Sequence, residues 1–438
     1  MNLVRQFQQD PLGFVAETMH TYGDLSLVQF GLQRLWFVNH PDLIREVLVN
    51  TGKTYRKVPK FVKQLAEVDG QGLVTSSGDL WRRQRRLVQP AFSTRRLDGY
   101  ATAIVQITQK MLESWKSDET RNLADDMTYL TLRIIARTLF DVQLESEVVP
   151  LGKAVHAISE IFTREAGQII PVPNWLPIPS KIRKRKAVAF LHRRIEEIIA
   201  RRRAEGVDHG DLLSILLSAV DDEGDGNGMN DRQIRDEAVT LFNAGHDSSA
   251  AALAWLWYLV GKYPEVAQRL HAEGAQLLAG RTPTYADVAQ LPYTEAVVKE
   301  TMRLYPPTWA AFPREPLTEV TLGGQNLRPG EWVYIAPWGT QRDPRFFPNP
   351  LKFDPGRFLP DRIGEIPQYG YIPFGGGPHI CIGLNFAMME MVLIVQTILQ
   401  QFEVQMSEGA PEAIPEPLIA IRPRGGVRLT IKRRSRNR

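Results

Sequence analysis

The sequence predicts a mainly α fold with a smaller β region near the N-terminus. Two observations set that class. Residues 127–140, 231–261 and 384–402 carry apolar side chains at helical spacing over long runs. Short strand-like stretches cluster before residue 40. A third observation concerns chemistry: the only cysteine, Cys381, lies in a glycine-rich turn instead of an apolar core segment. With 438 residues, 43% of them hydrophobic, the chain can bury a large core. No Pro/Gly/Ser linker divides it, so residues 1–438 are read as one domain.

Composition narrows the function. The 53 basic and 49 acidic residues leave a charge of +4, too small an excess to argue for nucleic acid. One cysteine excludes intrachain disulfides. Residues 1–19 include Arg5, Asp10, Pro11 and Glu17 and hold no apolar run of signal-peptide or membrane-anchor length. A cytoplasmic location is therefore expected. The basic end, 432–438, reads as a solvated tail.

Taken in order, 25–30 and 35–38 read as a hairpin turning at 31–34, and 41–49 as a short helix. Residues 51–80 read as an irregular segment, with Gly70, Gly72 and Gly78 among Phe61, Leu65, Leu73 and Val74. A helix opens at Trp81-Arg82-Arg83-Gln84-Arg85-Arg86. Trp81 and Arg85, four apart, share one face, and the other arginines fit a solvated face equally well. Residues 99–220 are mostly helical. Within them 167–179 sets Ile169, Ile170, Val172, Trp175, Leu176 and Ile178 among prolines, which excludes regular helix. A basic helix follows at 181–203. This pairing suits either a peripheral membrane contact or a loop packed on its own protein.

The 231–261 helix is apolar apart from Asn243 and Gly245-His246-Asp247-Ser248-Ser249. A polar cluster at its middle excludes a membrane span and predicts a buried central helix with an irregularity at Gly245. Residues 264–280 are amphipathic, and 291–305 carry Glu300 and Arg303 at helical i, i+3 spacing. Strands are expected at 320–322 and 332–335 about Pro329-Gly330, coil over 343–373, and a last hairpin of 418–421 and 427–431 about Gly425-Gly426.

In Phe374-Gly375-Gly376-Gly377-Pro378-His379-Ile380-Cys381-Ile382-Gly383, three glycines permit positive φ and close approach to a flat partner. Backbone N–H groups at the following helix start are expected to favour the thiolate. This loop resembles the haem-binding signature of the cytochrome P450 family, Phe-x-x-Gly-x-(Arg or His)-x-Cys-x-Gly. Phe374, Gly377, His379, Cys381 and Gly383 fill every fixed position. His379 replaces the commoner Arg, which makes a propionate contact there pH-dependent. Further motifs stand in the family's order. Trp81 and Arg85 match its Trp-x-x-x-Arg propionate pair. Ala244, Gly245 and Asp247 match the distal motif, with Ser248 where Thr is usual; serine keeps the hydroxyl but lacks the methyl that fixes its rotamer. Glu300, Arg303 and Arg357 match a structural network.

The resemblance covers the whole chain and implies the cytochrome P450 fold, one haem b and Cys381 as its iron ligand. It implies proton delivery by Asp247 and Ser248, and a propionate contact from Arg314. It implies a substrate pocket including Leu73, Val74, Trp309, Ala310, Ala311, Phe312, Leu418 and Ile419, with 51–80 as a mobile wall. The implied activity is oxygen insertion from O2 into a C–H or C=C bond of a small molecule by a monomer, and the apolar and aromatic pocket candidates point to a hydrophobic, lipid-like or terpenoid substrate. No flavin- or nicotinamide-binding segment is found, so electrons are expected from a separate ferredoxin or flavodoxin with its reductase, steered by Arg82, Arg83 and Arg86. A peroxide-driven or rearranging haem-thiolate enzyme, and a haem sensor without turnover, are the alternatives.

Overall fold

The computed structural model describes residues 3–142, 145–166, 176–221, 224 and 226–434. Most of the expected membrane-contact loop, 167–175, lies outside the described residues. Among the described residues, no helix is long and apolar enough to cross a membrane.

The central helix, Asp231–Lys262, organises the α region. Asn230 caps it: its side chain accepts the Gln233 N–H, and the Gln233 side chain accepts the Asn230 N–H in return. From Ser249 to Gly261 it is buried on every side, as expected of a helix at the centre of a core, while residues 243–248 are opened on one face. The helix Leu123–Phe140 packs beside it, and Gly245 makes that approach possible. A Cβ at Gly245 would lie 2.6 Å from Ile135 Cδ1. The expected irregularity at Gly245 is not observed: the helix runs unbroken, and the glycine serves interhelical contact.

The β region is a five-stranded sheet in the spatial order Leu25–Phe30, Gln33–Val38, Trp332–Ile335, Arg314–Pro316, Tyr55–Lys57. The expected hairpin at its edge is present, with a tighter turn than predicted. Trp332–Ile335 does not pair with 320–322. It adds parallel to Gln33–Val38, while Val320–Leu322 pairs with Gln325–Leu327.

Three other expectations are corrected. Residues 51–80 are not irregular: they hold the strand Tyr55–Lys57 and a helix, Pro59–Asp69, with Pro59 at its first turn. The glycines that suggested a loop fall at its end and beyond. The cysteine helix stops at Leu399, and Phe402–Met406 is a strand. The C-terminal hairpin is paired differently: Pro415–Pro417 pairs with Ile421–Pro423, so residues 418–420 form the turn. Arg428–Arg433 lies between Glu119–Asn122 and Phe402–Met406 in a separate three-stranded sheet. Non-local partners, invisible to periodicity, decided the strands Tyr55–Lys57, Phe402–Met406 and Arg428–Arg433.

Candidate active site

The cysteine loop is fixed from both ends. The Cys381 N–H donates to the Phe374 carbonyl (3.0 Å), closing the turn. Gly377 has φ +64° and runs so close to the helix Pro41–Val49 that a Cβ would sit 2.3 Å from the Leu48 carbonyl oxygen. Gly375 also has positive φ. Gly376 does not, contrary to expectation: its backbone is extended, and it is Tyr369 that excludes a side chain there.

Upstream, the helix Pro292–Leu304 supports the loop through a buried ion network. Glu300 and Arg303 are both 0% exposed and joined by two hydrogen bonds of 2.6 and 2.7 Å. Arg303 also donates to the carbonyls of Gln341, Pro350 and Lys352, and Glu300 accepts the Asp354 N–H. Arg357 lies 3.6 Å from Glu300 and holds the Pro348 and Asn349 carbonyls. Gln341 was missed by sequence reasoning. It donates to the Met302 and Arg303 carbonyls and accepts the Ile372 N–H, so it ties the network to the start of the cysteine loop. Nothing in its local pattern signals this.

Cys381 opens onto a cavity of about 1660 Å³. Pockets for single drug-sized ligands run to about 300–1,000 Å³, so this one has room for a macrocycle and a substrate together. Val74, Ala244, Gly245, Asp247, Ser248, Trp309, Ala310, Ala311, Phe312, Arg314, Phe374, His379, Gly383, Leu418 and Ile419 line it. Leu73 does not: it is buried in protein, with its N–H on Glu237 (3.0 Å). Trp81, Arg85 and Gly377 stand behind the lining. Trp81 stacks on His379 at 3.8 Å, and Arg85 donates to the Ile380 carbonyl at 2.9 Å. Burial pushes the Cys381 thiol up; the Gly383 N–H and Arg85 pull it down without prevailing. Contrary to expectation, the loop alone therefore does not favour the thiolate; a bound metal cation would supply that preference.

Opposite signs of charge are unevenly distributed here. Across the strand pair 55–57/314–316, Lys57 sits directly opposite Arg314. Both are buried, at 9% and 6% exposure, and among the described residues neither is paired with a carboxylate. Like charges in register destabilise a sheet. Burial and Arg314 push Lys57 down to about 7, and burial pushes Arg314 down to about 10. Burial, with Lys57, Arg314 and Arg85, pushes His379 down to about 3, so its ring is neutral. Such a cluster fits a ligand that brings its own carboxylates, as a haem does through its propionates. Lys57 was also missed by sequence reasoning, since register cannot be read from one strand.

On the central helix, Ser248 Oγ donates to the Ala244 carbonyl (2.9 Å), and Asp247 is paired with Arg422 of the strand Ile421–Pro423. Arg422 is a third residue without a sequence signal.

The family model for Cytochrome P450 matches residues 1–430. The chain belongs to the cytochrome P450 family. Among curated relatives, the cyclooctat-9-en-7-ol 5-monooxygenase of Streptomyces melanosporofaciens is 36% identical, covering 91% of this chain and 86% of that one. The cyclooctatin synthase of the same organism is also 36% identical, over 96% and 89%. The pentalenene oxygenase of Streptomyces avermitilis is 31% identical, over 92% and 89%. This P450 is thus a haem-thiolate monooxygenase with iron protoporphyrin IX as cofactor. It uses O2, an organic substrate and a redox partner.

Proposed function

We propose that this P450 oxidises a terpenoid, inserting one oxygen atom from O2 into a C–H or C=C bond. The observation that carries this reading is Cys381 at the wall of a large cavity whose other walls are mostly apolar, among them Phe61, Trp309, Ala311, Phe312 and Leu418. The relatives' names, which specify pentalenene and cyclooctat-9-en-7-ol, support it.

Cys381 would hold the haem iron, and Arg314 and the neutral His379 ring, which line the cavity, would hold its propionates, with Trp81, Arg85 and Lys57 supporting them from behind the lining. When bound, the haem supplies reductive activation of O2, which an electron-donating thiolate favours. The residues of the chain then manage protons. Asp247 accepts a proton from solvent, and water passes it to the Ser248 hydroxyl at the cavity wall, since adjacent helical residues do not face each other. Arg422 fixes the Asp247 carboxylate during this step. Glu300, Arg303 and Arg357 hold the fold that presents Cys381 and take no part in chemistry. Residues 1–430, spanned by one family model, are read as one catalytic domain acting as a monomer.

A ferredoxin or flavodoxin is the proposed electron donor. Arg82 is half exposed and beside Asp79, while Arg83 and Arg86 reach Asp221, so Arg82 offers the freest steering charge on this helix.

The test has two parts. The reduced protein with carbon monoxide should show the strongly red-shifted Soret band of thiolate-ligated haem. With a surrogate ferredoxin system and labelled O2, a panel of cyclic terpenoids should yield products carrying one labelled oxygen. A histidine-type Soret band, or turnover with hydrogen peroxide but not with the reductase system, would overturn the reading.

A further inference from the structure

One wall of the cavity is polar, and nothing in the proton delivery above uses it. The helix Pro59–Asp69 ends at Asp69, which lines the cavity together with Thr240 and Asn243 of the central helix. Asp69 is only 3% exposed. Asn243 Nδ2 donates to its Oδ1 at 2.7 Å. Its Oδ2 has no hydrogen-bond partner among the described residues. Leu65, Val68, Val74 and Leu241 of the neighbouring segments also line the cavity, so Asp69, Thr240 and Asn243 form a polar patch in a mostly aliphatic lining.

Asp69 is held in place. The Gln71 N–H donates to Asp236 (2.9 Å) and the Leu73 N–H to Glu237 (3.0 Å), both on the central helix. Gly72 is pressed so closely that a Cβ would lie 2.0 Å from Thr240 Oγ1. The segment after Asp69 is therefore pinned to the same helix that carries Asn243. Asp236 and Glu237 each take one backbone donor and stand behind the lining, whereas Asp69 lines the cavity and keeps an oxygen without a partner. Burial, opposed by Asn243 and reinforced by Asp236, pushes its carboxyl up to about 7.

We propose that Asp69 and Asn243 form a recognition site for a hydroxyl group on the substrate. The enzyme then oxidises a carbon skeleton that already carries an alcohol, and a preceding reaction must install that alcohol. An alcohol suits the site in either protonation state of Asp69: it donates to the carboxylate and accepts from the acid. A hydrocarbon seated there would strip water from Oδ2 and return nothing. Sites built to hydrogen-bond a substrate hydroxyl reject the analogue lacking it far better than apolar pockets reject an added one. The inference deepens the terpenoid reading above and rests on it.

The experiment uses the haem-loaded enzyme and two matched pairs, cedrol with cedrane and borneol with bornane. Binding is read from the spin-state shift of the Soret band. At least one alcohol should bind about tenfold or more tighter than its hydrocarbon. Asp69→Leu should bring that ratio to about one while the hydrocarbon keeps or gains affinity, and Asp69→Asn should retain part of the preference. If Asp69→Leu fails to load haem, Asn243→Leu carries the same test. Equal binding within each pair by the unmodified enzyme, or a variant that weakens alcohol and hydrocarbon alike, would overturn the hydroxyl site and leave the terpenoid reading standing. If no member of either pair binds, the terpenoid reading fails and the hydroxyl site falls with it.

Discussion

Replacing Arg314 by Met should weaken haem binding without weakening the haem-free fold. Arg314 faces Lys57 in strand register, both are buried, and their positive charges repel. In the protein alone, Arg314 has only neutral partners, Thr51 Oγ1 and the Phe312 carbonyl. Removing it costs those bonds, about 1.5–3 kcal/mol each, and relieves both the repulsion and the burial of a charge, which costs several kcal/mol per ion. The net change in the haem-free protein should be near zero or favourable. With haem bound, the guanidinium gains a propionate, and a hydrogen bond to a charged group is worth about 1.5–3 kcal/mol. Haem affinity should therefore fall by about 10- to 150-fold. Capture of released haem by excess apomyoglobin gives the rate, and circular dichroism during urea unfolding gives haem-free stability. Haem release within twofold of the unmodified protein would refute the cradle. A large loss of haem-free stability would show that Arg314 is a structural residue instead.

Other consequences are open to measurement. An unfolded lysine keeps its proton to about pH 10.5, whereas Lys57 releases its own near 7. Unfolding then takes up a proton between those values, and Lys57 should make haem-free stability rise with pH there; Lys57→Met should remove that component of the slope. Asp69 has the opposite sign: the folded carboxyl keeps its proton to about 7 and the unfolded one loses it near 3.8. Stability should fall from about pH 4 to 7 by up to about 4 kcal/mol from this group, and Asp69→Asn should flatten that fall in urea titrations. Glu300→Gln should cost about 3–5 kcal/mol in unfolding experiments, because it leaves Arg303 buried without its counter-charge; a change under 1 kcal/mol would contradict the network's role. Ser248→Thr should raise the product formed per O2 consumed, because the added methyl restricts the hydroxyl's rotamers. Arg82→Glu should slow reduction by an acidic ferredoxin and flatten its salt dependence in stopped-flow traces.

Much of the site was legible because its parts are local in sequence. Cys381 and its glycines share ten residues, Glu300 and Arg303 one helical turn, and Asp247 and Ser248 one polar break in an apolar helix. Each could be judged against a short-range rule of spacing or backbone freedom. The long helices were legible for the same reason, since a 3.6-residue period is a property of one segment. What the sequence hid were residues whose role depends on a distant partner. Phe402 continued an apolar run and so read as helix, but its backbone pairs with Arg433, and the run bends into a sheet. Leu73 looked like a pocket residue because it is apolar and near glycines. Its N–H is held by Glu237, and the side chain is buried in protein.

The charged residues carry this furthest. Lys57 and Arg314 are 257 positions apart; Lys57 alone would pass for a solvated side chain, and Arg314 was legible only through the family resemblance. Only the pairing of their two strands sets them opposite one another, and only burial makes that juxtaposition costly. A cost of that kind persists in a fold when something recovers it, and the proposed role for a dicarboxylate cofactor here is to do so. Asp69 and Asn243 present the same logic with the opposite sign of charge. The helix end and the loop after it are pinned hard against the central helix, yet one carboxylate oxygen is left without a partner at the wall of a mostly apolar cavity. If haem accounts for the first anomaly, the second calls for a ligand with a hydroxyl. That is why the two are separable by experiment: Arg314→Met should change haem release and leave alcohol preference alone, and Asp69→Leu should do the reverse.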